Sequence, residues 1–158
     1  MTSKQIEVVS AEQMINIGAI MAGALRPGDR ILLRGELGAG KTTLAKGIAQ
    51  GLGFEGRVSS PTFTIMNVYQ GQVPIYHLDF YRLEGEERLG EEWEESYYGD
   101  GITLIEWPAS EDQDLAGIRV EIEIKDGDYD APRRVKLTVP SGRQQILKEI
   151  AGHVDFEH

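Results

Sequence analysis

The run Gly35-Glu36-Leu37-Gly38-Ala39-Gly40-Lys41-Thr42 constrains the fold of this chain more than any other segment. It fits G-x-x-x-x-G-K-[ST] at every fixed position, and Thr43 continues it. Arg30 to Arg34, with Ile31, Leu32 and Leu33 at its centre, reads as a short buried strand before the run. Thr42 to Leu52 reads as a helix after it, stopped near Gly51 and Gly53. A glycine-rich turn between a strand and a helix points successive backbone N–H groups inward, which makes a concave anion site. The helix adds the positive end of its dipole. The expectation is a phosphate cradle formed by Glu36, Leu37, Gly38, Ala39, Gly40, Lys41, Thr42 and Thr43. Lys41 would reach the β- and γ-phosphates of ATP, and the Thr42 hydroxyl would take one position on Mg2+.

Such a cradle needs a carboxylate near the metal, at the end of a neighbouring apolar strand. Two positions qualify: Asp79, after Val73 to Leu78, and Glu106, after Ile102 to Ile105. One acid would bind the metal and the other would position the attacking water or assist; spacing alone leaves that division open. Between cradle and strands lies Ser59-Ser60-Pro61-Thr62-Phe63-Thr64, whose hydroxyls suit a segment that senses the γ-phosphate. His77 reads as a strand residue rather than a base. No Asn-Lys-x-Asp or Thr-Lys-x-Asp element is present, which favours ATP over GTP.

The rest of the chain reads as one domain spanning 1–158. Ile6 to Val9 is strand-like. Ser10 is placed to cap a helix over 11–25, with Met14, Ile17, Met21 and Leu25 along one stripe. Gly18 and Gly23 lie inside that stretch, where they would allow close packing against a neighbour. Hairpins are predicted from Phe63–Tyr69 with Val73–Leu78, and from Ile118–Ile124 with Val135–Val139. Glu84 to Tyr98 reads as an acidic helix or two short ones. Ser141 reads as the cap of a last helix holding Ile146, Leu147 and Ile150. The fold class expected is α/β: a P-loop NTPase fold, three-layered, with a mixed central sheet and a C-terminal β-hairpin plus helix.

Composition narrows the partners. The net charge is −10, and residues 1–60 hold seven Lys and Arg against five Asp and Glu, so residues 61–158 carry −12. Nucleic acid would repel a chain this acidic, because phosphate affinity comes mainly from Lys and Arg. The chain contains no cysteine, which excludes disulfides and thiolate zinc sites. No apolar run approaches the roughly 18–20 residues that cross a membrane, and the first residues lack a signal-peptide core. A cytoplasmic protein is expected.

Four blocks in order carry a family resemblance: Gly35–Thr43, Ser60-Pro61-Thr62-Phe63-Thr64, Tyr76-His77-Leu78-Asp79-Phe80-Tyr81-Arg82-Leu83, and Leu104-Ile105-Glu106-Trp107. With them the chain resembles the bacterial TsaE (YjeE) family of small ATPases over nearly its whole length. The resemblance implies a role in forming the threonylcarbamoyl-adenosine modification beside the anticodon of ANN-decoding tRNAs. It implies weak ATPase activity alone and assembly with TsaD and TsaB, tRNA being reached only through that complex. It makes Glu106 the second protein ligand to magnesium and Asp79 a carboxylate important for hydrolysis. It assigns Thr62 to the switch-like segment, Trp107 to the side of the nucleotide site, and Ser10 to the adenine site. The acidic 84–100 face, eight Asp and Glu against Arg88, would meet a basic partner surface. The rival functions are a small-molecule kinase, which would need an arginine-rich lid, and a non-catalytic module that docks when ATP is bound.

Overall fold

The computed structural model describes residues 1–36, 38–59, 66–79, 99–107, 117–124 and 132–157, the side chains of Asp79 and Trp107 excepted. Seven strands form one mixed sheet. They are β1 (Thr2–Val8), β2 (Arg30–Gly35), β3 (Met66–Gln70), β4 (Pro74–Asp79), β5 (Ile102–Trp107), β6 (Ile118–Ile124) and β7 (Arg133–Val139). Among the described residues three helices accompany them: α1 (Ala11–Ala22), α2 (Lys41–Gly51) and α3 (Gln145–Ala151).

The strand order is β1-β7-β6-β2-β5-β4-β3. β2 lies parallel to both β5 and β6, and β4 lies parallel to β5. The pairs β3–β4, β6–β7 and β1–β7 are antiparallel, so both expected hairpins form within the one sheet. From β2 the chain builds β3, β4 and β5 on one side and then crosses to β6 on the other. The order therefore reverses at β2, and in open α/β sheets the crevice beyond the carboxyl ends at such a reversal is where ligands bind.

Alternation along the strands assigns the two faces. Ile31 and Leu33 join Met14, Ile17, Leu44 and Ile48 in a core that also takes in Ile146 and Ile150 of α3. Leu32 points the other way, with Leu78 and Ile105. Each fully buried Ile or Leu contributes about 1.5–3 kcal/mol, so the helix-facing core dominates the stability of the described residues. The acidic helix expected over Glu84–Tyr98 lies outside the described residues. Among those described, no helix is long and apolar enough to cross a membrane.

α1 and α2 touch backbone to backbone. A Cβ on Gly18 would lie 2.6 Å from the Leu44 carbonyl oxygen, and one on Gly47 would lie 2.1 Å from that of Ile15. Gly18 thus serves the close packing expected of it. Gly23 does not; it is the C-cap of α1, which stops at Ala22 rather than near residue 25. Gly47→Ala should force the helices apart and cost about 2 kcal/mol, read as a lower melting temperature.

Among the described residues, three other boundaries move by two residues or more from the sequence reading. β1 starts at Thr2 rather than Ile6, because its polar first half pairs along β7 from Thr2↔Val139 onward. β7 likewise starts at Arg133 rather than Val135. Ser141 does not cap the last helix: α3 starts at Gln145 after an N-cap at Gln144 that makes no side-chain cap bond. Gly142 takes a left-handed φ of 86°, which turns the chain just after Ser141. Arg143 is then held by the Asp29 carboxylate, with Nη2 donating to Oδ2 at 2.6 Å and to the Ala24 carbonyl at 3.2 Å. Helix geometry begins only beyond that anchor.

Candidate functional site

β2 delivers the chain to the glycine turn and α2 leaves it. Gly35 sits where a Cβ would meet the Ile122 carbonyl oxygen at 2.7 Å, so β6 closes one side of the turn. Gly38 and Gly40 take φ of 83° and 119°, values that side-chain-bearing residues rarely adopt. Gly40 is also the N-cap of α2, with no side chain capping the first turn and no acid within it. The first turn of such a helix turns its amides and the positive end of its dipole toward the glycine turn, an arrangement that suits an anion. Lys41 is buried, at 6% exposure, and its ammonium donates to the Gly35 carbonyl and, at 3.4 Å, to that of Glu36. A cation and a set of amides therefore converge on the turn.

Across the crevice, β5 presents Glu106, 3% exposed. Its Oε1 lies 3.4 Å from the Thr42 hydroxyl at the start of α2. Two oxygens bound side by side on an octahedral magnesium lie ~3 Å apart, so this pair fits the ion with a small adjustment. No three His, Cys, Asp or Glu side chains among the described residues gather into a site that could hold a metal by itself. One hydroxyl and one carboxylate suit Mg2+, which keeps waters and takes the rest of its ligands from substrate phosphates. In the β4–β5 ladder Asp79 is the direct partner of Glu106, so the backbone brings both predicted acids to one end of the sheet.

Glu106 is backed by buried polar groups that the sequence reading did not connect to it. Nε2 of His77, itself 0% exposed, lies 3.1 Å from Glu106 Oε2. Nδ1 of the same ring lies 3.0 Å from the Tyr69 hydroxyl, which also lies 3.0 Å from the Ser59 carbonyl oxygen. Burial pushes the Tyr69 phenol above its ordinary value of 10.0, so the hydroxyl keeps its hydrogen at neutral pH. Residues 69, 77 and 106 step diagonally across β3, β4 and β5, a relation that no linear spacing reveals.

Beside the turn opens a cleft of about 360 Å³, walled by Val8, Ser10, Met14, Gly38, Thr43 and Arg133 among others. Ser10 caps α1 as expected: its hydroxyl accepts from the Gln13 amide at 3.0 Å, while the Gln13 side chain accepts from Val9 N–H at 2.9 Å. The structure thus places Ser10 on the same cleft as Gly38, Ala39, Gly40 and Thr43. Arg133 was missed by the sequence reading. It comes from β7 and its Nε donates to the Ala39 carbonyl at 3.2 Å. Leu37, Thr62 with the rest of Ser60–Thr64, and Tyr81 and Arg82 lie outside the described residues, as do the side chains of Asp79 and Trp107.

A mixed sheet that reverses order at β2, with a glycine turn leading from that strand into α2, defines an α/β protein of P-loop NTPase fold. The family model for the threonylcarbamoyl adenosine biosynthesis protein TsaE matches residues 8–135, and the chain belongs to that family. It is similar to the tRNA threonylcarbamoyladenosine biosynthesis protein TsaE of Bacillus subtilis, 40% identical over 148 residues, with 92% of each chain covered. The protein of the same name from a Nostoc species is 44% identical over 108 residues, covering 65% of this chain and 67% of the relative. Among solved structures, that of Bacillus subtilis YdiB superposes with a TM-score of 0.75 at 32% identity, covering 96% of both chains. Membership ties the chain to the tRNA threonylcarbamoyladenosine pathway.

Proposed function

We propose that this protein binds Mg-ATP in the Gly35–Thr43 turn and hydrolyses it slowly, in support of threonylcarbamoyl-adenosine formation on ANN-decoding tRNAs. The observation that carries the reading is the convergence of Lys41, Thr42 and Glu106 on one glycine turn. In this reading the turn amides and Lys41 hold the β- and γ-phosphates. Thr42 and Glu106 hold magnesium, which when bound neutralises charge on the γ-phosphoryl oxygens. Asp79 aids the attacking water or the metal, and Thr62 belongs to the segment that responds to the γ-phosphate. The cleft beside Ser10 takes the base. Catalysis then comes mostly from positioning and charge neutralisation.

The partners proposed are TsaD and TsaB, with tRNA reached through them and the cytoplasm as the working compartment. The arginines are scattered along the sequence rather than clustered as an arginine-rich lid requires, which argues against a metabolite kinase. The deciding experiment measures ATP turnover with and without TsaD and TsaB, for the native chain and Asp79→Asn. Basal turnover should be low, and completion of the site by a partner should raise it by ~10³-fold or more. Asp79→Asn should lose that gain while complex formation persists. Many turnovers per second from the chain alone, or phosphate passed to a metabolite instead of water, would overturn the reading.

A further inference from the structure

The buried His77 has no part in the chemistry just described, yet both of its ring nitrogens are engaged. A carboxylate that holds a metal has only lone pairs to offer, so the hydrogen between Glu106 Oε2 and His77 Nε2 belongs to the ring. In the Nε2–H tautomer Nδ1 is an acceptor and the Tyr69 hydroxyl is its donor, across 3.0 Å. That hydroxyl has one hydrogen and a second acceptor at the same distance, the Ser59 carbonyl oxygen at 3.0 Å. A carbonyl never donates. Hydrogen given to Ser59 is therefore withheld from His77. Ser59 has a further donor, Nδ2 of Asn67 at 3.3 Å, so it can be satisfied when Tyr69 turns away.

We propose that Tyr69 and His77 are positioning residues that couple Ser59 to the Glu106 carboxylate. When Tyr69 commits its hydrogen to His77, the ring is fixed and Nε2–H aims Oε2, leaving Oε1 directed at Thr42. When Ser59 claims that hydrogen, the ring loses its outer anchor and Glu106 is held less firmly. Second-layer groups of this kind tune a metal ligand by fixing its orientation. Displacement of the chain at Ser59 is thereby felt at the Glu106 carboxylate through two side chains. The coupling rests on the reading of Glu106 as a magnesium ligand.

The test uses Tyr69→Phe, which keeps the ring packed on Phe54 and removes only the hydroxyl, together with His77→Gln, His77→Leu and Glu106→Gln. Magnesium is titrated calorimetrically into each protein saturated with the β,γ-imido analogue of ATP, and melting temperatures are recorded. Tyr69→Phe and His77→Leu should raise the half-saturating magnesium concentration about 10-fold. His77→Gln, whose amide offers one donor and one acceptor, should stay within about 3-fold of native. Nitrogen-15 spectra of the native protein should show His77 as the Nε2–H tautomer, with an Nδ1 signal that shifts in Tyr69→Phe. An unchanged magnesium midpoint in Tyr69→Phe, or an Nδ1–H tautomer in the native protein, overturns the relay. Equal losses in His77→Gln and His77→Leu that merely follow melting temperature also overturn it, by reducing His77 to packing. If Glu106→Gln leaves the midpoint unmoved while the tautomer is as stated, it is the metal-ligand reading that has failed.

Discussion

Lys41→Ala should lower ATP affinity by about 10²-fold or more while the protein still folds. The ammonium is buried within the turn and bonded to the Gly35 and Glu36 carbonyls. Truncating one partner of a buried, hydrogen-bonded charge contact costs about 2–5 kcal/mol, and each 1.4 kcal/mol is tenfold in affinity. Two losses add here: the phosphates lose their cation, and the turn loses the internal bonds that hold it in shape before ligand arrives. Isothermal calorimetry with ATP gives the first. A melting curve gives the second, where a shift of only a few degrees is expected, since the hydrophobic core is untouched. Affinity within 3-fold of native would mean that the turn is not the phosphate site.

Glu106→Gln should reduce partner-stimulated ATP turnover by about 10²–10³-fold, with little change in nucleotide affinity measured without magnesium. The substitution is nearly isosteric. Its amide oxygen still accepts from His77 Nε2–H, so the loss isolates the carboxylate charge from the geometry around it. Stability should hold or rise, because a 3%-exposed carboxylate is a cost of function that glutamine does not carry. Lost turnover with an unchanged or higher melting temperature is the expected pair of results. Lost turnover with a collapsed melting temperature would assign Glu106 to structure instead.

How far the sequence reached depends on the range of the contacts involved. The glycine turn, the Ser10 cap and the apolar centres of β2 and β5 are local matters of backbone geometry and patterning, and they were legible. The start of β1 was not. Ser3, Lys4 and Gln5 are polar, and they are strand because β7 lies alongside them. Ser141 looked like a cap because serine caps helices; the Asp29–Arg143 pair and the turn at Gly142 moved the helix start onward. Asp79 and Glu106 were both singled out, but only the β4–β5 register shows them to be direct partners. The Ser59–Tyr69–His77–Glu106 line and Arg133 on the cleft wall were invisible for the same reason. Each needs strands distant in the chain to be brought side by side. Thr62 and Leu37 fall outside the described residues, so their assigned roles rest on the motifs alone.

The position of β2 has a consequence for biosynthesis. Its neighbours, β5 and β6, begin only at Ile102 and Ile118, and the sheet closes when the last strand, β7, is laid beside the first. A growing chain leaving the ribosome therefore exposes the whole glycine motif long before any strand exists to hold it. Thr42 meets a carboxylate 64 residues downstream, so a nascent fragment that ends before Glu106 cannot form this hydroxyl–carboxylate pair. The pair is thereby deferred until β5 has emerged, and contacts of such long reach make its closure comparatively slow.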